Sequence, residues 1–156
     1  GPTIANINGK VKLAIVGPVE DHAYWGKCLK HIKLLNENVI VEYLGEKSPS
    51  DIQLLFNNYH CFISSSFNEN YGHSIVEALS FGCPVIVSEH TPWRELESYF
   101  AGFSLELNPE LFTEKIQFFS DMNNSLFLKY KQGALNYFKM KIDLDIFKDN
   151  YRKIFS

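Results

Sequence analysis

Five short runs rich in β-branched and aromatic residues, with little polar alternation, constrain this chain most. They are VKLAIVG at 11–17, NVIVEYLG at 38–45, YHCFISSS at 59–66, PVIVSE at 84–89 and AGFSLEL at 101–107. A strand with one wet face alternates apolar and polar side chains, whereas a strand covered on both faces has no need to. Helix-period segments separate the runs. Residues 20–36 place Trp25, Cys28, Leu29, Ile32 and Leu35 on one stripe. Ser48-Pro49-Ser50-Asp51 opens a second helix, with Ser48 or Ser50 as its cap and Ile52, Leu54, Leu55 and Phe56 on its buried side. A third helix covers 74–81. Three more fill the C-terminal part, from about Pro109 to Met122, Ser125 to Ile142 and Leu144 to Phe155.

Strands alternating with helices in this way predict one α/β domain: a doubly wound, Rossmann-like parallel sheet with helices on both faces. The 156 residues suffice for one domain with a full core. Ligands of such sheets bind outside the carboxyl ends of the strands, near the point where strand order reverses. The loops after Gly17, Gly45, Ser66 and Glu89 are therefore the ones to watch.

Composition narrows the partners. A net charge of −3 gives no basic footprint for nucleic acid. No apolar run reaches the roughly 18 residues that span a bilayer, and no signal peptide is recognisable. Cys28, Cys61 and Cys83 are odd in number and scattered, which favours reduced thiols in a cytoplasmic setting. The opening Gly-Pro without an initiator Met reads as a cloning remnant on a fragment of a longer protein. The sequon Asn123-Asn124-Ser125 carries little weight without a secretory signal.

The stretch NENYGHSIVEALSFGCPVIV, residues 68–87, holds two carboxylates, Glu69 and Glu77, around a glycine-containing turn. Gly72 permits close backbone approach. The following helix N-terminus offers free amides and a positive dipole end to an anion such as a diphosphate. Carboxylates beside it can accept hydrogen bonds from a vicinal diol. The competing reading is structural: Ser74 as N-cap with Glu77 three residues on forms a capping box, and Glu69 is a solvated loop residue. Spacing alone leaves both open.

The wording of the stretch decides more. Glu69-Asn70-Tyr71-Gly72 followed by Glu77-Ala78-Leu79-Ser80-Phe81-Gly82-Cys83-Pro84-Val85-Ile86 resembles the E-x7-E pattern of the C-terminal, donor-binding domain of GT-B fold, family 4 (group 1) retaining glycosyltransferases. SEHTPWREL at 88–96 resembles a loop of bacterial members, and the likeness runs over residues 11–107 and more loosely beyond. The resemblance implies that the full-length enzyme transfers a hexosyl group from a UDP- or GDP-sugar to a glycan or lipid-linked acceptor. Bacterial surface polysaccharide synthesis is the implied setting. Glu69 would be the catalytic-site residue holding the donor hexose, and Glu77 would take the ribose hydroxyls. Backbone amides of Tyr71, Gly72, His73 and Ser74 would face sugar and diphosphate, with Gly17 and Pro18 on the phosphate side. The base would lie near Leu44, Gly45, Glu46 and Lys47, with Thr91 bordering the cleft. No cofactor and no metal are implied. The family's diphosphate-binding Arg and Lys precede VKLAIVG and are missing here, as is the acceptor domain. The chain by itself is thus expected to bind donor weakly and to be inactive.

Other readings compete. The chain can be a non-catalytic nucleotide-sugar-binding or interaction module. A GT-B sugar epimerase shares the fold without this wording. A receiver domain needs acids at the ends of strands one and three, where Ile15-Val16-Gly17 and Ser64-Ser65-Ser66 stand. Asp143-Leu144-Asp145 matches a D-x-D metal pattern, but its position before a helix favours a cap. The five histidines lack metal-ligand spacing, and only His73 lies inside the motif. Trp93 and Tyr99 are expected at the cleft rim or in a small cluster, and Arg94 in an ion pair or against substrate. FLKYKQGALNYFKMKI at 127–142 mixes lysines and aromatics. It reads as a core stripe of Leu128, Leu135, Phe138 and Ile142 with a solvated lysine face, or as a peripheral contact with the inner face of a membrane.

Overall fold

The computed structural model describes residues 11–16, 26, 30, 39–43, 59–64, 72–89, 91 and 93–155. Five strands form one parallel sheet: β1 (Val11–Val16), β2 (Val39–Tyr43), β3 (Cys61–Ser64), β4 (Val85–Ser88) and β5 (Gly102–Leu105). Their order is β2-β1-β3-β4-β5, so the direction of winding reverses between β1 and β3. Leu13 pairs with Val41 on one side and Cys61 on the other; Ile63 pairs with Ile86, and Ile86 with Phe103. Each strand falls inside the run predicted for it. Gly26 and Lys30 have helical backbone and are exposed; the rest of the helix predicted over 20–36, and the helix predicted to open at Ser48, lie outside the described residues.

Both faces of the sheet are covered. Ala14, Phe62, Val85 and Val87 join one apolar cluster with Ile75, Ala78 and Leu79 of helix α1 (Gly72–Ser80). Leu13, Ile15, Cys61, Ile63, Ile86 and Phe103 join the other, with Phe112, Ile116 and Phe119 of helix α2 (Pro109–Ser120). Successive residues of a strand thus feed opposite layers, as the strand period of two requires. Most of these side chains are within 3% of full burial.

The helix ends follow their residues. Asn108 caps α2, its Oδ1 accepting from the Glu110 N–H at 2.8 Å, with Pro109 in the first turn and Glu110 at the positive dipole end. At the end of α1 the Cys83 N–H reaches Ala78 O and the Gly82 N–H reaches Leu79 O. That is a Schellman closure with Gly82 at φ 76°. Pro84 then starts the chain into β4. The G-x-P part of the family wording is therefore a device for turning a helix into a strand.

The C-terminal region differs from expectation. Helix α3 runs unbroken from Asn124 to Phe155, 32 residues, where two helices were predicted. No proline follows Pro109, and no glycine follows Gly133, so nothing stops it. Asp143-Leu144-Asp145 consequently lies inside a helix and caps nothing. Asn123 of the sequon acts as the cap, its Oδ1 accepting from the Leu126 N–H at 2.8 Å. The buried stripe of α3 consists of Tyr130, Ala134 and Tyr137, whereas Leu128 is 61% exposed. Tyr130 packs in the α2 layer and Ala134 and Tyr137 in the α1 layer, so α3 passes from one face of the sheet to the other. Gly133 allows the passage: a Cβ there would stand 2.1 Å from Phe100 O and 2.3 Å from Tyr99 O.

Candidate functional site

The site is built where β3 hands over to α1. In a parallel sheet the helix after β3 must run back antiparallel to it, so Gly72 at the start of α1 lies at the carboxyl edge. This is beside the reversal between β1 and β3, the position at which sheets of this order bind ligands. The first turn of α1 contains no acidic residue, leaving the positive end of its dipole uncompensated from within.

Gly72, His73 and Ser74 are the first three residues of α1. A helix beginning at Gly72 puts Ser74 inside its first turn and makes Glu77 the sixth residue of nine. The capping box required Ser74 outside the helix and Glu77 at its third position, so these bounds do not fit it. Glu77 is half-buried, and its Oε2 is shielded from solvent. Helical side chains lean toward the N-terminus, which directs this carboxylate back to the carboxyl edge. Its neighbours Ile75, Ala78 and Leu79 are locked in the core, and its carbonyl takes the Ser80 hydroxyl at 2.6 Å. The carboxylate thus stands on a rigid base.

Thr91 lies just past the carboxyl end of β4 and is 8% exposed. Its N–H and Oγ1 both donate to Ser88 O, at 3.0 and 2.8 Å. Arg94 forms no ion pair among the described residues. Its Nη1 donates to the carbonyls of Thr91 and Trp93. The Tyr137 hydroxyl donates in turn to Arg94 O at 2.8 Å. Trp93 is buried in the α1-side cluster, with Tyr99 against it and in edge contact with Tyr137 at 5.6 Å. The loop after β4 is therefore tied to α3 across 43 residues of sequence. No pattern in the sequence announces that tie, because Tyr137 reads only as one more aromatic of a helix.

Gly17, Pro18, Leu44, Gly45, Glu46, Lys47, Glu69 and Tyr71 lie outside the described residues. Among the residues that are described, the structure brings α1 with Glu77 and the Thr91–Arg94 loop to the same edge of the sheet. No three His, Cys, Asp or Glu side chains converge as a metal site among the described residues. Cys61 and Cys83 are free and buried, and burial pushes both thiols up, away from reactivity at neutral pH. No described helix is long and apolar enough to cross a membrane.

Residues 3–132 match the family described as glycosyl transferases group 1, a span holding all five strands and α1. No curated protein matches the chain.

Proposed function

The chain belongs to the group 1 glycosyl transferases, and on that premise we propose that it is the donor-binding domain of a retaining enzyme of the GT-B, family 4 type. The observation that carries the reading is Glu77: a half-buried carboxylate on a rigid helix whose acid-free N-terminus opens at the carboxyl edge. The ligand that suits this arrangement has an anionic centre flanked by hydroxyls, as a nucleoside-diphosphate sugar does. The diphosphate sits at the amides of Gly72, His73 and Ser74, and Glu77 accepts hydrogen bonds from the ribose diol.

The rest of the assignment follows the family wording. Glu69 holds the donor hexose; Tyr71, Gly17 and Pro18 border sugar and phosphates. Gly45, Glu46 and Lys47 border the base, UDP or GDP, and Thr91 shapes the far side of the cleft. The chemistry asked of the domain is electrostatic. Helix amides stabilise the departing diphosphate, and the carboxylates fix the sugar for attack by a glycan or lipid-linked acceptor. The setting is cytoplasmic synthesis of a bacterial surface polysaccharide, with the acceptor held by a separate N-terminal domain and no metal or cofactor used by this one.

Ligand-observed NMR of the chain with UDP, GDP, ADP and their hexose conjugates tests the reading, run in parallel on Glu77→Gln. One nucleotide should bind, and the substitution should weaken it about 10- to 100-fold, the value of one or two hydrogen bonds to a charged acceptor. The fold should remain intact. Equal affinity in the variant would remove Glu77 from the site. Absence of binding by every member of the panel would favour a non-catalytic interaction module.

A further inference from the structure

Two basic side chains meet at Trp93. The Arg94 Nη1 donates to the carbonyls of Thr91 and Trp93, which fixes the guanidinium against the loop after β4. The Lys141 ammonium stands 5.4 Å from the centroid of the Trp93 ring. Neither forms an ion pair among the described residues. Acids are at hand: Glu89, Glu95 and Glu97 lie within five residues of Arg94 in sequence, and all three are exposed. Arg94 binds carbonyls instead. A carbonyl holds a guanidinium without neutralising it, and these two occupy only Nη1. The Nε and Nη2 donors of the fork have no partner among the described residues.

The loop that carries Arg94 is held in place by α3. Glu95 and Phe100 have left-handed backbone, φ 63° and 58°, a state that non-glycine residues keep only where their surroundings impose it. Here the Tyr137 hydroxyl donates to Arg94 O at 2.8 Å, and Gly133 lets the Tyr99 and Phe100 carbonyls approach the helix. The position of α3 also sets the height of both cations. Phe127 lies against His60 at the amino end of β3, and Tyr137 reaches Arg94 beyond the carboxyl end of β4, so α3 runs antiparallel to α1. Position 131 stands beside Gly82, just past the C-terminal end of α1, since a Cβ on Gly82 would meet Lys131 Cγ at 2.8 Å. Lys131 to Lys141, and Gly82 back to Gly72, are both ten residues, about 15 Å of helix. Lys141, and with it the Trp93–Arg94 turn, therefore stands beside the acid-free first turn of α1.

We propose that Arg94 and Lys141 bind the diphosphate of the donor: Arg94 offers Nε and Nη2 as a fork to phosphate oxygens, and Lys141 adds a point charge. The inference rests on the donor-site reading above. It supplies that site with cations from within the described residues, where the amides of α1 stood alone.

Phosphorus and ligand-observed NMR of the whole chain test it with inorganic pyrophosphate, UDP and GDP. Pyrophosphate and one of the two nucleotides should bind, less tightly as salt is raised. Arg94→Gln should weaken both ligands about tenfold and Lys141→Gln about threefold. Arg94→Lys keeps the charge but not the fork, and should fall between Arg94→Gln and the parent chain. Lys115→Gln, over Phe103 on the opposite face of the sheet, should change nothing. Circular dichroism and urea unfolding check each variant. Lower stability in Arg94→Gln with unchanged affinity makes the residue a staple of its loop and overturns the proposal, as does nucleotide binding that ignores both Arg94→Gln and Lys141→Gln. In those cases the donor site stands on Glu77 without the cations. Pyrophosphate binding that needs Arg94, with nucleotides held no more tightly and indifferent to Glu77→Gln, leaves the cation pair and removes the donor site. No binding of any of the three removes both.

Discussion

The two layers that cover the sheet are built by different means. On the α2 side Phe103, Phe118, Phe119 and Tyr130 pack ring against ring, most of them edge to face with centroids between 5.3 and 6.0 Å apart. On the α1 side the aromatics Phe62, Trp93 and Tyr137 are interleaved with Ala14, Ala78, Ala101 and Ala134, and hydrogen bonds such as that from the Tyr137 hydroxyl to Arg94 O join the layer to the loop after β4. The Trp93 Nε1 and Ser104 Oγ atoms are buried without a hydrogen-bond partner among the described residues. The α2 layer supplies stability from surface area and shape. The α1 layer adds hydrogen bonds to its packing and holds Glu77 and the loop after β4 in fixed positions. Substitutions on the two sides should fail in different ways.

The largest loss is expected from Phe119→Ala. The ring is fully buried and touches Phe103, Phe118 and Tyr130. Its removal should cost about 3–5 kcal/mol in urea unfolding. Nucleotide affinity of the fraction that stays folded should be unchanged, since Phe119 packs on the sheet face opposite α1. A loss below about 1 kcal/mol would mean that the aromatic cluster closes around the gap and is not the rigid half of the molecule.

Acid should act next, at the amino end of β3. His60 is 4% exposed; its Nδ1 accepts from the Lys12 N–H at 3.0 Å, and its ring lies against Phe127 at 5.0 Å. Burial lowers its pKa to about 4 from an ordinary 6.5. The unfolded chain therefore binds a proton that the folded chain refuses. Stability is complete above the unfolded value and falls as the pH drops from 6.5 toward 4, by up to about 3 kcal/mol. In His60→Asn, whose Oδ1 can replace Nδ1 as acceptor, that slope should vanish from urea titrations across the window. An unchanged slope would assign the acid sensitivity to the carboxylates.

Gly133→Ala should reverse an ordinary rule. Alanine in place of glycine inside a helix commonly adds about 1 kcal/mol. Here the new methyl group would meet the carbonyls of Tyr99 and Phe100 at 2.3 and 2.1 Å, both backbone atoms. A loss of about 2 kcal/mol in thermal or urea unfolding is expected, with α3 pushed off the α1 layer. A gain would show that the close approach is not a constraint.

The sheet was legible because its message is local. A parallel strand buried on both faces needs continuous apolar residues, and VIVS at 85–88 or CFIS at 61–64 can hardly be anything else. The motif around Glu77 was legible for a different reason: part of it is a helix stop, Gly82 and Pro84, that any reader of caps can find. The helix start was less so, since Ser74 looks like a cap, whereas α1 already begins at Gly72. The C-terminal helix hid both its length and its inward face. A leucine stripe and a tyrosine–alanine stripe coexist on it, and hydrophobicity scales favour the leucines. What selects the tyrosines is the sheet they meet, information that no window of the sequence contains.

The smallest effect is also the sharpest test of the contrast between the layers. Tyr137→Phe keeps the buried ring and its edge contact with Tyr99, and removes only the hydroxyl that donates to Arg94 O. One neutral hydrogen bond of this kind contributes about 1 kcal/mol. Burial raises the Tyr137 pKa, so the hydroxyl stays protonated and donates across the working range of pH. Its loss should leave the α2 layer untouched and loosen the segment that Arg94 holds through the carbonyls of Thr91 and Trp93. Amide exchange should quicken at residues 91–96 and stay constant in β5 and α2. Were exchange to quicken everywhere alike, the α1 layer would be packing of the same kind as its neighbour across the sheet, and the loop after β4 would owe its position to burial alone.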